Sequence, residues 1–203
     1  CCLPNHVMVA SDALELLREW VTDPGIRQFA VNALKHYDHY LQYFMPLLVH
    51  FIRFEPEPDP SPLVKLLFAR SLRDKQFRHD LFWHFQVTSE GELSAKHRYE
   101  CLKQRLIAFT ASRVGIEAAR DLTIGYEMYR AFECVPPMCS EEHATDILKK
   151  ALAHLADEKM PLIVNPNLQQ VRVRVDKLKV KQSATQPIVV PIICKSDSNN
   201  SIS

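Results

Sequence analysis

The side chains of this 203-residue chain that could do chemistry are nine histidines, six cysteines and twenty-four carboxylates. Their spacing excludes most of that chemistry. The cysteines stand at Cys1, Cys2, Cys101, Cys134, Cys139 and Cys194, and no two form a C-x-x-C pair. Cys134 and Cys139 enclose Val-Pro-Pro-Met, with no second pair to complete a tetrahedral zinc site. His36-x-x-His39 brings two imidazoles to one helix end, but a metal site needs further ligands. No metal ligands and no catalytic residues are assigned. No Ser–His–Asp or Cys–His arrangement follows from spacing. Only four glycines are present, and neither Gly-rich phosphate cradle occurs. His79 and Trp83 are expected in the core with the imidazole hydrogen-bonded, as are Phe77, Phe82 and Phe85. Glu141-Glu142 suits the first turn of a helix, where the macrodipole favours acids.

The elements that would position these residues are short amphipathic helices. Ala13, Leu14, Leu17, Trp20 and Val21 form one helical stripe. Thr22-Asp23-Pro24 ends that helix and starts the next, with Asp23 as N-cap and Pro24 at the first helical position. Ile26, Phe29, Ala30, Ala33, Leu34 and Tyr37 make a second stripe. A third helix is predicted from about Tyr40 to Arg53, with Pro46 kinking it or marking its true start. Glu55-Pro-Glu-Pro-Asp-Pro reads as a solvated acidic connector; a contact for a basic partner surface is the sharper alternative. Ser61 caps and Pro62 opens a fourth helix carrying Leu63, Leu66, Leu67, Phe68 and Leu72. Asp74 starts a fifth through Phe77, Leu81, Phe82 and Phe85. Further stripes follow at Tyr99, Leu102, Leu106 and Phe109, around residues 114–133, and at Ala144, Ile147, Leu148, Ala151, Leu152 and Leu155.

After Pro161 the period changes from helix to strand. Val171, Val173 and Val175 alternate with Arg172 and Arg174. Leu178 and Val180 have the opposite parity, which predicts a bulge or turn near Asp176-Lys177. Gln182 to Pro187 reads as a turn. Ile188 to Cys194 reads as a second strand, with Pro191 placing it at an edge. Repeated helical pairs followed by a hairpin give the fold class: mainly α, an α-solenoid of stacked HEAT- or armadillo-like pairs, then a short β-hairpin. The expected division is a helical scaffold over 1–160, the start of a second domain over 161–195, and a disordered polar tail over 196–203. The chain begins with Cys, which is expected of a fragment.

Charge and hydropathy narrow the function classes. Net charge is +1. Residues 1–168 carry 19 Lys/Arg against 22 Asp/Glu, whereas 169–195 carry Arg172, Arg174, Lys177, Lys179, Lys181 and Lys195 against Asp176 alone. That bias is one short segment rather than a basic domain face, so a nucleic-acid partner is not expected. No run of about 18 apolar residues exists to cross a membrane. The first residues lack a secretory signal's basic and apolar regions, so free thiols in a reducing compartment are expected.

Three segments resemble a known family in register. Phe44-Met-Pro-Leu-Leu-Val-His-Phe-Ile-Arg-Phe-Glu55, Ser61-Pro-Leu-Val-Lys-Leu-Leu-Phe-Ala-Arg-Ser-Leu72 and His79-Asp-Leu-Phe-Trp-His-Phe85 are similar to the helical domain of phosphoinositide 3-kinase catalytic subunits. Ala13-Leu-Glu-Leu-Leu17 and Asp23-Pro-Gly-Ile-Arg-Gln-Phe-Ala-Val31 resemble its opening helices, and Arg98-Tyr99 fits further on. Leu162-Ile-Val-Asn-Pro166 and Lys179-Val-Lys-Gln-Ser-Ala-Thr-Gln-Pro187 resemble the entry into the family's kinase domain. By that resemblance Ser183 matches the serine that faces the ATP phosphates. Thr185 and Gln186 replace residues that are often basic, which removes a charge-assisted phosphate contact.

The resemblance implies a parent that transfers the γ-phosphoryl of ATP, with Mg2+, to the 3-hydroxyl of membrane phosphoinositides. It implies docking to other domains of the same kinase and to a regulatory subunit, and a cytoplasmic parent recruited to membranes. The family's aspartate-arginine-histidine loop and aspartate-phenylalanine-glycine metal site do not occur in these residues, and Lys195 is not the family's strand lysine. The chain alone is therefore expected to hold no cofactor and to be inactive. A freestanding α-solenoid interaction module is the alternative from another class. A related 4-kinase fits the 44–85 run less well.

Overall fold

The computed structural model describes residues 8–55, 61–91, 93–136, 139–156, 158, 171–181 and 188–194. The chain divides into two compact units, Cys1–Ile116 and Glu117–Ser203. Each is described by itself.

The first unit is a stack of helices: α1 (Ala10–Glu15), α2 (Pro24–Leu34), α3 (Leu41–Ile52), α4 (Pro62–Ser71), α5 (Lys75–Gly91) and α6 (Lys96–Arg113). Capping fixes the starts of α2, α4 and α5. The Asp23 carboxylate accepts the Ile26 N–H at 3.0 Å, the Ser61 hydroxyl accepts the Val64 N–H at 3.4 Å, and the Asp74 carboxylate accepts the Phe77 N–H at 3.0 Å. Each satisfies a donor left open in a first helical turn. Helix α5 is central and packs on α3, α4 and α6. Its Phe77, Leu81, Phe82 and Phe85 are fully buried, with Tyr99 and Leu106 of α6. Helix α6 ends where Gly115 takes φ 133° and donates its N–H to the Thr110 carbonyl at 3.1 Å, a left-handed closure that favours glycine.

The opening stripes are rotated from those expected. Helix α1 stops at Glu15, so Trp20 is 68% exposed rather than buried. In α2 the buried face is Arg27, Ala30, Val31 and Leu34, while Ile26 and Phe29 point outward. An apolar period cannot reveal that an arginine occupies the inward position. Pro46 lies inside α3, which begins at Leu41, so it does not mark the helix start; it is exposed and has no N–H to donate to the Gln42 carbonyl.

The second unit has α7 (Ile116–Glu133, whose first residue closes the first unit), α8 (Glu141–Leu152), a 3-10 turn at Ala153–Leu155, and the strands β1 (Val171–Val173), β2 (Lys179–Val180), β3 (Ile188–Val189) and β4 (Ile192–Cys194). Ser140 caps α8 by accepting the His143 N–H at 3.3 Å, and Glu141 and Glu142 occupy its first turn as expected. Strand β1 pairs antiparallel with β4 (Val173↔Ile192) and β2 with β3 (Val180↔Ile188). The expected turn near Asp176-Lys177 is a 3-10 turn over Val175–Lys177. The single strand expected from Ile188 to Cys194 is interrupted at Val190-Pro191, where the Pro191 carbonyl accepts the Arg174 N–H at 2.9 Å. Proline cannot donate to a ladder, so pairing breaks there. The core of this unit joins Ile124 and Met128 to Ala144, Leu148, Leu152 and Leu155, and these to Val173, Val175, Leu178 and Val180 of the hairpin. The architecture is the expected one, a helical stack followed by a small antiparallel hairpin.

Candidate functional site

The residues carrying the sequence resemblance meet in the first unit as a buried charged junction. Arg27 is 1% exposed and Glu55 3%. The Arg27 Nε donates to Glu55 Oε1 at 2.7 Å. Its other nitrogens donate to the carbonyls of Leu17 at 2.9 Å, Arg18 at 3.2 Å and Val21 at 3.1 Å, after α1, and of Phe51 at 3.3 Å, near the end of α3. The second oxygen of Glu55 accepts the Ser61 hydroxyl. One guanidinium thus joins the segment after α1, the start of α2, the end of α3 and the cap of α4. Buried ions are tolerated only when paired and hydrogen-bonded in this way. Glu55 was expected to open a solvated acidic connector, and that expectation is corrected here. Residues 56–60 lie outside the described residues.

The C-terminus of α3 is saturated from a second direction. Arg98 donates to the carbonyls of Ile52 at 3.0 Å and Arg53 at 2.7 Å, and the Tyr99 hydroxyl donates to that of Val49 at 2.8 Å. Cations at a helix C-terminus also meet the negative end of its dipole. Lys103, 1% exposed, bonds Gln86 and pairs with Glu100 at 2.8 Å. Burial pushes the Glu100 carboxyl up, but the hydrogen bond and charge of Lys103 outweigh it and hold it below its ordinary range. None of these buried ions was singled out from the sequence. The available signals were the charges inside two of the segments that carry the resemblance, Arg27 in one and Glu55 closing the other.

His79 is buried as expected, and its Nε2 accepts the Trp83 indole N–H at 3.1 Å. His36 and His39 are exposed on a 3-10 segment, Lys35–Tyr40. Cys101, Cys134 and Cys139 are free thiols. Among the described residues no three His, Cys, Asp or Glu side chains converge as a metal site would require.

The second unit holds the flanks of the turn assigned to phosphate. Ser183 and the rest of 182–187 lie outside the described residues. Strands β2 and β3, on either side of that stretch, pair antiparallel, and the β2 Val180 N–H donates to Thr145 of α8 at 3.2 Å. The basic segment faces outward: Arg172, Lys177, Lys179 and Lys181 are exposed. Arg174 is engaged by Asp176 through two bonds of 2.9 and 2.7 Å. That hydrogen-bonded guanidinium lowers the Asp176 carboxyl to about 2. Elsewhere in the second unit, Arg120 of α7 bridges Glu127 at 2.5 Å and Glu158 at 3.3 Å, and His154 meets Glu127 at 3.2 Å. These arrangements bind and brace. In the first unit, on α6, the exposed Cys101 Sγ lies 3.6 Å from His97 Nε2, four positions apart on one helix.

The family model for the accessory domain of phosphoinositide 3-kinases (PIK domain) matches residues 6–116, just over half of the chain. Phosphatidylinositol 3-kinase pik3 of Schizosaccharomyces pombe is 25% identical over 208 aligned residues, covering 92% of this chain and 26% of that protein. The human phosphatidylinositol 3-kinase C2 domain-containing subunit gamma is 30% identical over 148 residues, covering 72% of this chain and 10% of its own length. Its counterpart in Rattus norvegicus is 37% identical over 108 residues, covering 52% and 7%. The chain therefore spans about a quarter or less of the length of these relatives. The matched stretch holds the Arg27–Glu55–Ser61 junction and the α5–α6 core.

Proposed function

Because this chain belongs to the phosphoinositide 3-kinase family through its accessory (PIK) domain, we propose that it is the helical scaffold of a lipid-kinase polypeptide, a rigid stack on which the catalytic lobes and partner chains dock. The larger polypeptide, in this reading, transfers the γ-phosphoryl of ATP to the 3-hydroxyl of a membrane phosphoinositide. The observation that carries the reading is the family match over the helical stack, together with the two names of similar proteins, both phosphatidylinositol 3-kinases. A stack held by buried, fully bonded ions suits a spine, because its surfaces keep fixed positions for whatever docks.

The hairpin of the second unit would be the opening of the ATP-binding lobe, with Ser183 on the phosphate side of its turn. When bound, ATP with Mg2+ would supply the phosphoryl group and neutralise its charge. No described residue is assigned to hold the metal, and no step is drawn through it. The role left to this chain is positioning.

Purified 1–203, incubated with ATP, Mg2+ and phosphatidylinositol vesicles, is expected to transfer no phosphate. Transfer by this chain alone would overturn the reading. Reading the transcript downstream is the second test. An in-frame aspartate-arginine-histidine loop supports the kinase polypeptide, and a stop directly after Ser203 in every transcript makes the chain a freestanding interaction module instead.

A further inference from the structure

Two grooves flank α4 in the first unit, and Lys65 and Ala69 line both. The groove towards α2, of about 470 Å³, holds Lys35, Lys65, Arg70 and Arg73 with Asp38. Its charge is partly matched within the fold. Arg70 lies 3.3 Å from Asp38 and 2.8 Å from Asp74, and Arg73 lies 4.0 Å from Asp38.

The groove between α4 and α6, of about 620 Å³, is different. Its floor is apolar, built on Phe68, Leu72 and Phe109, with the Phe68 and Phe109 rings 5.4 Å apart. Its rim carries Lys65, Arg105 and Arg113, and no acidic residue lines it. Lys65 and Arg113 are exposed and enter no ion pair among the described residues. Arg105 and Arg113 stand eight positions apart along α6, about 12 Å at the helical rise of 1.5 Å per residue. That length matches about two turns of a second helix.

We propose that the α4–α6 groove is a docking site for an acidic amphipathic helix of a partner protein. Its apolar stripe would lie over the floor of Phe68, Leu72 and Phe109, and its carboxylates would meet Lys65 and Arg113. An apolar concavity with cations on its rim is complementary to a helix with an apolar stripe and acidic flanks. Other anions fit less well. A bilayer surface is broad and does not enter a concave groove between two helices. A lone phosphate would be served by converging donors, whereas these cations are strung along the rim and the floor offers apolar carbon. The inference stands on this geometry and is independent of the kinase reading.

The test selects peptides about three helical turns long from a randomised display library against the immobilised 203-residue chain. Affinities of enriched sequences are then measured by fluorescence anisotropy. The expected winners are net acidic, with apolar residues three and four apart. Their affinity falls with added salt and drops about tenfold or more in the double variant Lys65→Glu/Arg113→Glu. Ala108→Trp, which fills the groove from an exposed lining position, is expected to weaken binding as much. Circular dichroism melting separates these effects from misfolding, and Lys65→Ala/Arg113→Ala serves if the charge reversal does not fold. Winners without an acidic bias, or binding unchanged in a folded variant, would overturn the proposal. So would sedimentation with phosphatidylserine vesicles, lost in the same variant, where no peptide is enriched: the surface would then be a membrane contact.

Discussion

Arg27 shows how much one side chain can organise when it is buried with every donor engaged. Its guanidinium reaches Glu55 and four main-chain carbonyls. Removing one partner of such a pair strands the other in a dry interior, which costs far more than the pair contributes relative to an apolar replacement. Arg27→Ala is therefore expected to lower unfolding stability by about 3–5 kcal/mol, read from the urea midpoint at constant m-value. Replacing both ions by apolar residues should not restore stability here, because the carbonyls of Leu17, Val21 and Phe51 would lose their donors as well. At the surface the same pairing has a different consequence. Asp176 titrates at about 2 against an ordinary 3.8, chiefly through its hydrogen bond from Arg174. A carboxyl lowered on folding supports the folded state above its unfolded value, and that support is lost as pH falls from about 4 through about 2. NMR titration of the Asp176 carboxyl should give a midpoint near 2, rising towards the ordinary 3.8 in Arg174→Ala, with the nearby Lys177 charge still holding it somewhat down.

Among the elements, the helix ends are the places where single residues decide structure. Asp23 accepts one N–H from an exposed position, so Asp23→Ala should cost about 1 kcal/mol in thermal unfolding. Ser61 both caps α4 and donates to the buried Glu55, so Ser61→Ala should cost more than Asp23→Ala in the same measurement. Gly115 and Gly91 separate two roles of glycine. Gly115 sits at φ 133°, and alanine there is strained, with an expected loss of about 1 kcal/mol or more. Gly91 closes α5 without a positive φ, and an added Cβ meets open space. Gly91→Ala should therefore stabilise by about 0.5–1 kcal/mol. Equal effects at the two positions would contradict this assignment. The caps were legible in the sequence because Asp-Pro and Ser-Pro before an apolar stripe state both partners of a local bond. The rotation of α2 was not legible, since its inward residue is an arginine whose acceptors lie on other elements.

For the whole molecule, the hairpin illustrates dependence on what lies behind it. Two strands are marginal in water by themselves. Here Val173, Val175, Leu178 and Val180 are buried against Ala144, Leu148 and Leu152 of α8. Leu148→Ala is expected to cost about 2–5 kcal/mol. It should also accelerate amide exchange at Val180, whose N–H is held by Thr145 of α8, and at Arg174, whose N–H is held across the strands by the Pro191 carbonyl. Unchanged protection at the Arg174 amide would show that the hairpin holds by its own pairing.

By itself the sequence settled the helical stack, its capped starts, the switch from helix to strand after Pro161, and the membership that Phe44–Glu55 and Ser61–Leu72 announce. These are properties of neighbours: period, caps and turn chemistry act within a few residues. Only the tertiary structure decided that Arg27 and Glu55 meet, twenty-eight positions apart. It also decided that Lys103 is buried, and that Phe68 and Phe109 share a groove with basic edges. Those facts depend on which faces of distant helices come together. A charge has no periodicity by which its destination could be read.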